Sequence, residues 1–285
     1  MKLSLVMCTR NRISILLRFT ISLHQQFRQV DEYIIIDGSD IPIDNSDEFQ
    51  KIKELFPDLI YRHTSPGLTY QRNQGVDLAT GNLVFFFDDD IVLEKNYIQN
   101  ILLIFETNEH YAGGMGQIPI QPLSFKGKIQ TSINKFFMLP NKNSDGKFYT
   151  SGFAKMPHGG QNFLDVEVLS GGIAAYKRDV LKKNKFDEFF VGYGFMEDAE
   201  YSRRVSKNHK LFYNPLAICY HLHASNGRID SFELGKMIMT NYKYVNEKHF
   251  NSKTSFYWSV IGLFITAIIF ERNINKIKGY IQGLR

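Results

Sequence analysis

Residues 82–94, NLVFFFDDDIVLE, set five apolar side chains directly ahead of three consecutive aspartates. An apolar run without alternation marks a strand covered on both faces, as in parallel sheets. Asp88, Asp89 and Asp90 then fall at its carboxyl end. Adjacent carboxylates repel, so such a cluster calls for solvent or a cation to neutralise it. All-oxygen ligands suit a hard divalent ion, Mn²⁺ or Mg²⁺, better than zinc, and such an ion fills its remaining positions with water and substrate phosphate. That implies a diphosphate ligand. Side chains alternate along an extended chain, so Asp88 and Asp90 share one side and Asp89 takes the other. A second reading stands beside this one, in which the carboxylates favour the amino end of the helix that follows.

Working outward, the first ~120 residues alternate short apolar runs with longer amphipathic ones, the pattern of a mostly parallel sheet flanked by helices. Strands are expected at 3–8, 32–37, 59–63 and 82–87, with helices near 12–27, 46–56, 68–79 and 95–106. TRNR (9–12) follows the first strand, DGSD (37–40) the second and DDD (88–90) the fourth. Ligands of open α/β sheets bind beyond the carboxyl ends of strands, so these three clusters line one rim. Residues 119–163 are rich in Pro, Gly, Asn, Lys and Ser without a sustained period, which reads as a long lid or substrate-binding segment. Further on, a helix is expected over 196–208, strands over 210–214 and 216–223, and helices to the end.

The 285 residues are 44% apolar, enough to bury a substantial core. The net charge of +5 is polarised: residues 201–285 hold 13 Lys/Arg against four Asp/Glu, leaving the first 200 net acidic. Cys8 and Cys219 each lie in an apolar run and read as two buried thiols of a reducing compartment rather than a disulfide. MKLSLVMCTR is too short an apolar stretch for a signal peptide and reads as a first strand, placing the chain in the cytoplasm.

SLVMCTRNR, IIIDGSD, GLTYQRNQGVDLATGNLVFFFDDD, LSGGIAAYKRDVL and FDEFFVGYGFMEDAEYSRRV occur in the order and approximate spacing of family 2 glycosyltransferases, over residues 3 to 225. The chain resembles the bacterial surface-polysaccharide members of that family. The resemblance implies a GT-A fold: a catalytic domain over 1–227, with a nucleotide-binding half at 1–118 and an acceptor-binding half at 119–227, then a helical extension at 228–285. It implies that Thr9, Arg10, Asn11, Arg12, Asp37 and Ser39 hold the nucleotide, with the Asp37 carboxylate accepting from the base. Arg72 and Asn73 would sit near the nucleotide too. Asp88, Asp89 and Asp90 match the D-x-D region that contacts ribose and metal, and Asp198 of the "ED" pair matches the catalytic base of inverting members. A histidine after the last strand approaches the metal or diphosphate in relatives, and both His221 and His223 fit that place. Mn²⁺ or Mg²⁺ is the implied cofactor, a nucleoside-diphosphate sugar, most commonly a UDP-sugar, the donor, and a glycan or polyprenyl-linked glycan the acceptor.

The residues themselves leave alternatives open. Glu200 can pair with Arg203 or Arg204 one helical turn on, and Asp198 can be a helix-start carboxylate. Cys219, His221 and His223 alternate on one strand, yet three ligands from a straight strand cannot surround zinc tetrahedrally. Gly171 and Gly172 would let backbone approach a sugar, or only allow a turn. Glu197 and Tyr193 are candidates for the acceptor side, with core packing the plainer role. A sugar nucleotidyltransferase would also need metal-bound carboxylates, but CTRNR lacks its glycine-rich phosphate loop. A non-catalytic sugar-binding scaffold of the same fold would not need both acidic motifs.

The stretch 256–270 is 15 residues without a charge, shorter than a bilayer span of ~20. Beyond it Ile274, Ile277, Ile281 and Leu284 fall at helical spacing, with Lys276, Lys278, Gln282 and Arg285 between them. One reading lays this tail on the inner face of the cell membrane; the other packs it against the catalytic domain or a second subunit. Its lysines alternate with aliphatic residues instead of forming a dense stripe, which argues against nucleic acid. The oligomeric state is open.

Overall fold

The computed structural model describes residues 1–141, 144–222 and 229–285. It divides into two compact units, Met1–Pro119 with Gln161–Gly227, and Ile120–Gly160 with Arg228–Arg285.

The first unit opens with β1 (Leu3–Thr9), α1 (Ile13–His24), β2 (Glu32–Asp37), α2 (Asp47–Leu55), β3 (Ile60–His63), α3 (Leu68–Leu78) and β4 (Leu83–Phe87). All seven match the expected elements to within a few residues. Ser46 caps α2 by accepting the Phe49 N–H at 3.2 Å, one reason that helix begins where it does. The chain continues through β5 (Ile91–Leu93), α4 (Tyr97–Thr107) and β6 (Tyr111–Gln117). After the helix α5 (Phe125–Phe136) of the other unit come β7 (Leu164–Val166), β8 (Ile173–Lys177), α6 (Arg178–Lys183), α7 (Glu197–Ser206) and β9 (Lys210–His221). The two strands expected at 210–214 and 216–223 are this single strand, which passes through Pro215.

The sheet runs β3-β2-β1-β4-β8-β6-β9-β5, with β7 paired to β9. Its β3-β2-β1-β4 part is parallel, and β8 enters antiparallel between β4 and β6. Strand order reverses at β1, which has β2 on one side and β4 on the other. A crevice therefore opens beyond Thr9 and Phe87, at the carboxyl ends of those neighbours. Both faces of the sheet are covered: Leu3, Leu5, Ile34, Ile35, Val84 and Phe85 have no exposed surface. Cys8 and Cys219 are free thiols, and Cys219 is fully buried.

The second unit joins residues 120–160 to α8 (Ser231–His249), α9 (Lys253–Thr266) and α10 (Ile274–Leu284). Residues 120–160, the first part of the stretch assigned from sequence to the acceptor half, thus belong to one compact unit with the C-terminal helices, and 161–227 belong to the first unit. Phe153 stacks on Tyr242 at 3.7 Å between centroids, and Asn246 donates to the Ser151 carbonyl at 2.9 Å. Residues 120–160 also hold a helix, α5, where the sequence reading expects a loop. α9 continues through a π turn to Glu271, giving 19 residues from Lys253. By length and composition this helix could cross a membrane, a test that the core helix of a soluble protein also passes. On α10, Tyr280 is buried and Ile277 and Leu284 are half-buried. The helix meets α8 through glycine, since a Cβ on Gly279 would overlap the Phe232 carbonyl and one on Gly235 the Lys276 carbonyl. Ile274 and Ile281 stay exposed.

Candidate active site

The loops leaving β1, β2 and β4 meet on one rim. Thr9 donates through Oγ1 to Asp89 Oδ2 at 2.9 Å, and Arg12 Nη1 donates to Asp89 Oδ1 at 3.1 Å. Arg12 also lies 3.8 Å from Asp90 Oδ2. Burial pushes the Asp89 carboxyl up to about 6, against the pull of Thr9 and Arg12. Asp89 therefore ties the first loop to the acidic cluster. Asn11, at φ 55°, donates its backbone N–H to Ser39 Oγ at 2.7 Å, and Arg10 pairs with Asp40 at 3.0 Å. Asn11 and Arg10 together hold the Asp40 carboxyl below its usual range.

Two residues expected at the nucleotide hydrogen-bond within the protein. Asp37 is fully buried, and its carboxylate accepts from the Ser39 N–H (2.8 Å), the Ile43 N–H (3.1 Å) and the Tyr61 hydroxyl (2.8 Å). It shapes its own loop and has no exposed surface to offer a base. Asn73 donates to the Phe186 carbonyl at 3.0 Å and to Glu188 at 2.9 Å, and accepts from the Phe186 N–H at 2.9 Å, so it anchors the chain ahead of α7. Gln71, unnoticed in the sequence, bridges the carbonyls of Thr9 (3.2 Å) and Ile36 (2.8 Å) and so pins the ends of β1 and β2 together. Its place inside YQRNQG was the available signal.

Asp88, Asp90 and His221 each bring one ligand atom to within 4.8 Å of the others. The pairing of β5 with β9 sets Ile91 opposite His221, which carries the histidine to the acidic turn. His221 Nε2 stands 3.3 Å from Asp90 Oδ1. Burial raises the Asp88 carboxyl, Arg72 lowers it and neighbouring Asp90 raises it further. Two crowded carboxylates and an imidazole, partly withdrawn from water, fit a hard divalent ion. Asp88–Asp90 form a turn between β4 and β5 and not a continued strand, and within that turn Asp89 points to Thr9. His223 lies outside the described residues.

Beside this cluster stands Asp198. Its Oδ2 accepts from the Gly171 N–H at 3.1 Å and its Oδ1 from the Ala199 N–H at 2.7 Å, and the side chain remains partly exposed. The next residue, Gly172, accepts the Asp88 N–H through its carbonyl at 3.0 Å, and a Cβ there would overlap the Asp88 carboxylate. One glycine pair thus spaces Asp198 from Asp88. The glycines make room for the site's own carboxylates and for Arg72, which a Cβ on Gly171 would meet at 2.7 Å.

Glu197, a candidate for the acceptor side, is buried and pairs with buried Arg72. Arg72 sits between the rings of Phe86 (5.6 Å) and Phe186 (5.3 Å). Burial raises the Glu197 carboxyl while Arg72 pulls it down, and the surrounding carboxylates keep the guanidinium protonated. Glu200 takes the pairing expected of it, with Arg204 at 2.9 Å. Tyr193 is 60% exposed on a loop whose neighbours Gly192, Gly194 and Met196 all have positive φ, of 62°, 67° and 71°. Such left-handed runs persist where surrounding structure imposes them.

The sequence model of glycosyl transferase family 2 matches residues 4–184. The chain belongs to glycosyl transferase family 2. A relative of this family 2 chain is the glucosyl-dolichyl phosphate glucuronosyltransferase of Haloferax volcanii, 24% identical over 247 residues, covering 85% of this chain and 66% of the relative. Among solved structures, GalNAc-T7 with UDP, GalNAc and Mn²⁺ superposes with a TM-score of 0.67 at 16% identity, over 98% of this chain and 54% of that one. The mannosyltransferase PcManGT from Pyrobaculum calidifontis, in complex with GDP-Man and Mn²⁺, gives 0.60 at 12% identity, over 99% of this chain and 87% of that one. The chain thus spans about two thirds of its curated relative and about half of GalNAc-T7. The fold is the GT-A fold of these transferases.

Proposed function

We propose that the chain transfers a sugar, with inversion, from a nucleoside-diphosphate sugar to a hydroxyl of a lipid-linked glycan at a membrane surface. The observation that carries this reading is the spacing of two acidic functions by Gly171 and Gly172, with Asp198 on one side and the Asp88–Asp90–His221 group on the other. A donor diphosphate belongs with the latter, and an acceptor hydroxyl with the former.

Asp88, Asp90 and His221 would hold Mn²⁺ or Mg²⁺, which when bound offsets charge on the departing nucleoside diphosphate. Arg12, fixed by Asp89, sets a cation on the same rim. The hydrogen bonds from Gly171 and Ala199 fix both Asp198 oxygens, so the carboxylate is aimed before the acceptor arrives. It takes the acceptor proton as that oxygen attacks the anomeric carbon from the face opposite the leaving group, which inverts the configuration. Arg72 acts on this geometry indirectly: it is buried behind the glycine pair, neutralises Glu197 and keeps the start of α7 in place. Exposed Tyr193 lines the acceptor side. The dolichyl phosphate in the relative's name and its pairing with a sugar support a lipid-linked acceptor.

Asp198→Asn tests the assignment. Transfer to acceptor is expected to fall by about 10²–10⁴-fold, as for loss of a general base, with nucleotide affinity retained. Near-normal turnover would remove Asp198 from the chemistry.

A further inference from the structure

We propose that the outer face built by α5 and α9 in the second unit seats the protein on an anionic lipid bilayer. This deepens the lipid-linked acceptor reading and rests on it for its purpose.

α5 has no buried residue, yet Phe125, Ile129 and Phe136 on it are 79%, 42% and 64% exposed. α9 is apolar all round. Its inward side, Phe256, Val260 and Leu263, is buried within the unit, while Tyr257, Ile261 and, in the π turn, Ile268 are 50–58% exposed. A helix apolar on every side belongs in an apolar environment on every side, and protein supplies only one of those here. The two helices run antiparallel and adjacent. Trp258 donates through Nε1 to the Phe136 carbonyl at 2.8 Å, and at the other end Lys126 Nζ lies 5.8 Å above the Phe270 ring. Their exposed apolar residues therefore form one surface. An open groove of about 410 Å³, lined by Met138, Tyr257, Trp258 and Ile261 among others, is cut into it. Acyl chains fit such a lining.

Charge selects the occupant. Residues 120–160 and 228–285 contain 15 Lys/Arg and five Asp/Glu, a net +10 in a chain of net +5. A second copy would bring the same Lys126, Lys128 and Lys135 to the interface and be repelled, whereas anionic headgroups attract them. Lys126, Lys128 and Lys135 are exposed on α5, interleaved with its apolar residues, as interfacial helices require. The face lies on the bilayer rather than across it, because Gly262 on the inward side of α9 is packed against Phe137.

Trp258 is the single tryptophan, so its emission reports this face alone. The intact protein is mixed with phosphatidylglycerol–phosphatidylcholine vesicles or with pure phosphatidylcholine vesicles, without nucleotide sugar. Co-flotation with the anionic vesicles is expected, together with a blue shift of Trp258 emission and its quenching by lipids brominated along the acyl chains. The double variant Phe125→Glu/Ile268→Glu alters two exposed positions and is expected to partition roughly tenfold more weakly or worse. Lys126→Glu/Lys128→Glu should weaken the preference for anionic vesicles. Absence of flotation, equal flotation of the double-glutamate variant, or a solution dimer that shields Trp258 overturns the proposal. So would capture of nucleic acid in place of vesicles. Nucleotide binding, followed separately in each variant, is expected to be unchanged; its loss in the wild type with flotation intact would sink the transferase reading and leave the lipid face standing.

Discussion

Gly172 shows what a single residue does here. Sequence offers two uses for a glycine pair, sugar approach or turn, and the structure supplies a third: the Asp88 carboxylate occupies the space a side chain would fill. Gly172→Ala should leave the fold intact and push Asp88 from Asp90 and His221. Affinity for nucleotide in the presence of Mn²⁺, measured by calorimetry, is expected to fall about tenfold or more, the scale of a disturbed ligand shell; unchanged affinity would take Asp88 out of the ion site. Asp88 and Asp90 were legible because crowded carboxylates at a strand end carry their own electrostatic signal. The loop hydrogen bonds of Asp37 and Asn73 were not, because a polar residue bonded to loop backbone and one facing a ligand look alike in a sequence. Asn73→Ala, which strands the Phe186 N–H and carbonyl, is expected to cost about 1–3 kcal/mol in denaturant unfolding, with little change in nucleotide affinity per folded molecule.

At the next level, the parallel elements up to β4 were readable from continuous apolar runs alternating with longer amphipathic ones. β6 drew no expectation from its sequence, YAGGMGQ; Gly113, Gly114 and Gly116 are glycine because Tyr176, Phe212 and Tyr97 press their rings against that strand. α5 was passed over because the Pro, Gly, Asn and Lys content of 119–163 reads as loop, although Phe125, Ile129, Ile133 and Phe136 fall at helical spacing. Helix α10 was foreseen as a helix but not its close approach to α8, which depends on Gly235 and Gly279. Gly279→Leu should force α8 and α10 apart, since the obstructing atom is the Phe232 backbone carbonyl, which cannot yield. Overpacking of this kind costs about 1–3 kcal/mol, seen as a lowered melting temperature with the nucleotide site unaffected. Strand β2 carries a pH effect of its own. Burial raises the Glu32 carboxyl, but hydrogen bonds from Lys2, Ser4 and Thr80 outweigh it and hold the group down at about 2, from 4.5. A depressed carboxyl stabilises the fold above its unfolded pKa, so that contribution is full above pH 4.5 and fades as pH falls toward 2. Glu32→Gln should flatten the acid limb of the stability curve between those values and leave neutral pH comparatively little changed in slope.

Across the whole molecule, the two units divide by charge as they do by sequence: the first holds 19 Lys/Arg against 24 Asp/Glu, the second 15 against five. The acidic unit carries the rim where carboxylates and a histidine gather, and the basic unit carries the outward apolar helices. A polarised charge was visible from composition, but its source was not, because the second unit is assembled from two distant stretches and only the later one is read as helical from its sequence. The proposed ion-assisted donor site and the proposed lipid-linked acceptor fit that division. The ion is the more basic claim of the two. Thermal unfolding should be followed with UDP and with GDP, each with and without Mn²⁺, in the wild type and in Asp90→Asn. The predicted result is a rise in melting temperature with one nucleotide only when Mn²⁺ is present, absent from Asp90→Asn. Stabilisation by nucleotide that is equal without Mn²⁺, or equal in the variant, would contradict the assignment of Asp88, Asp90 and His221 to a divalent ion.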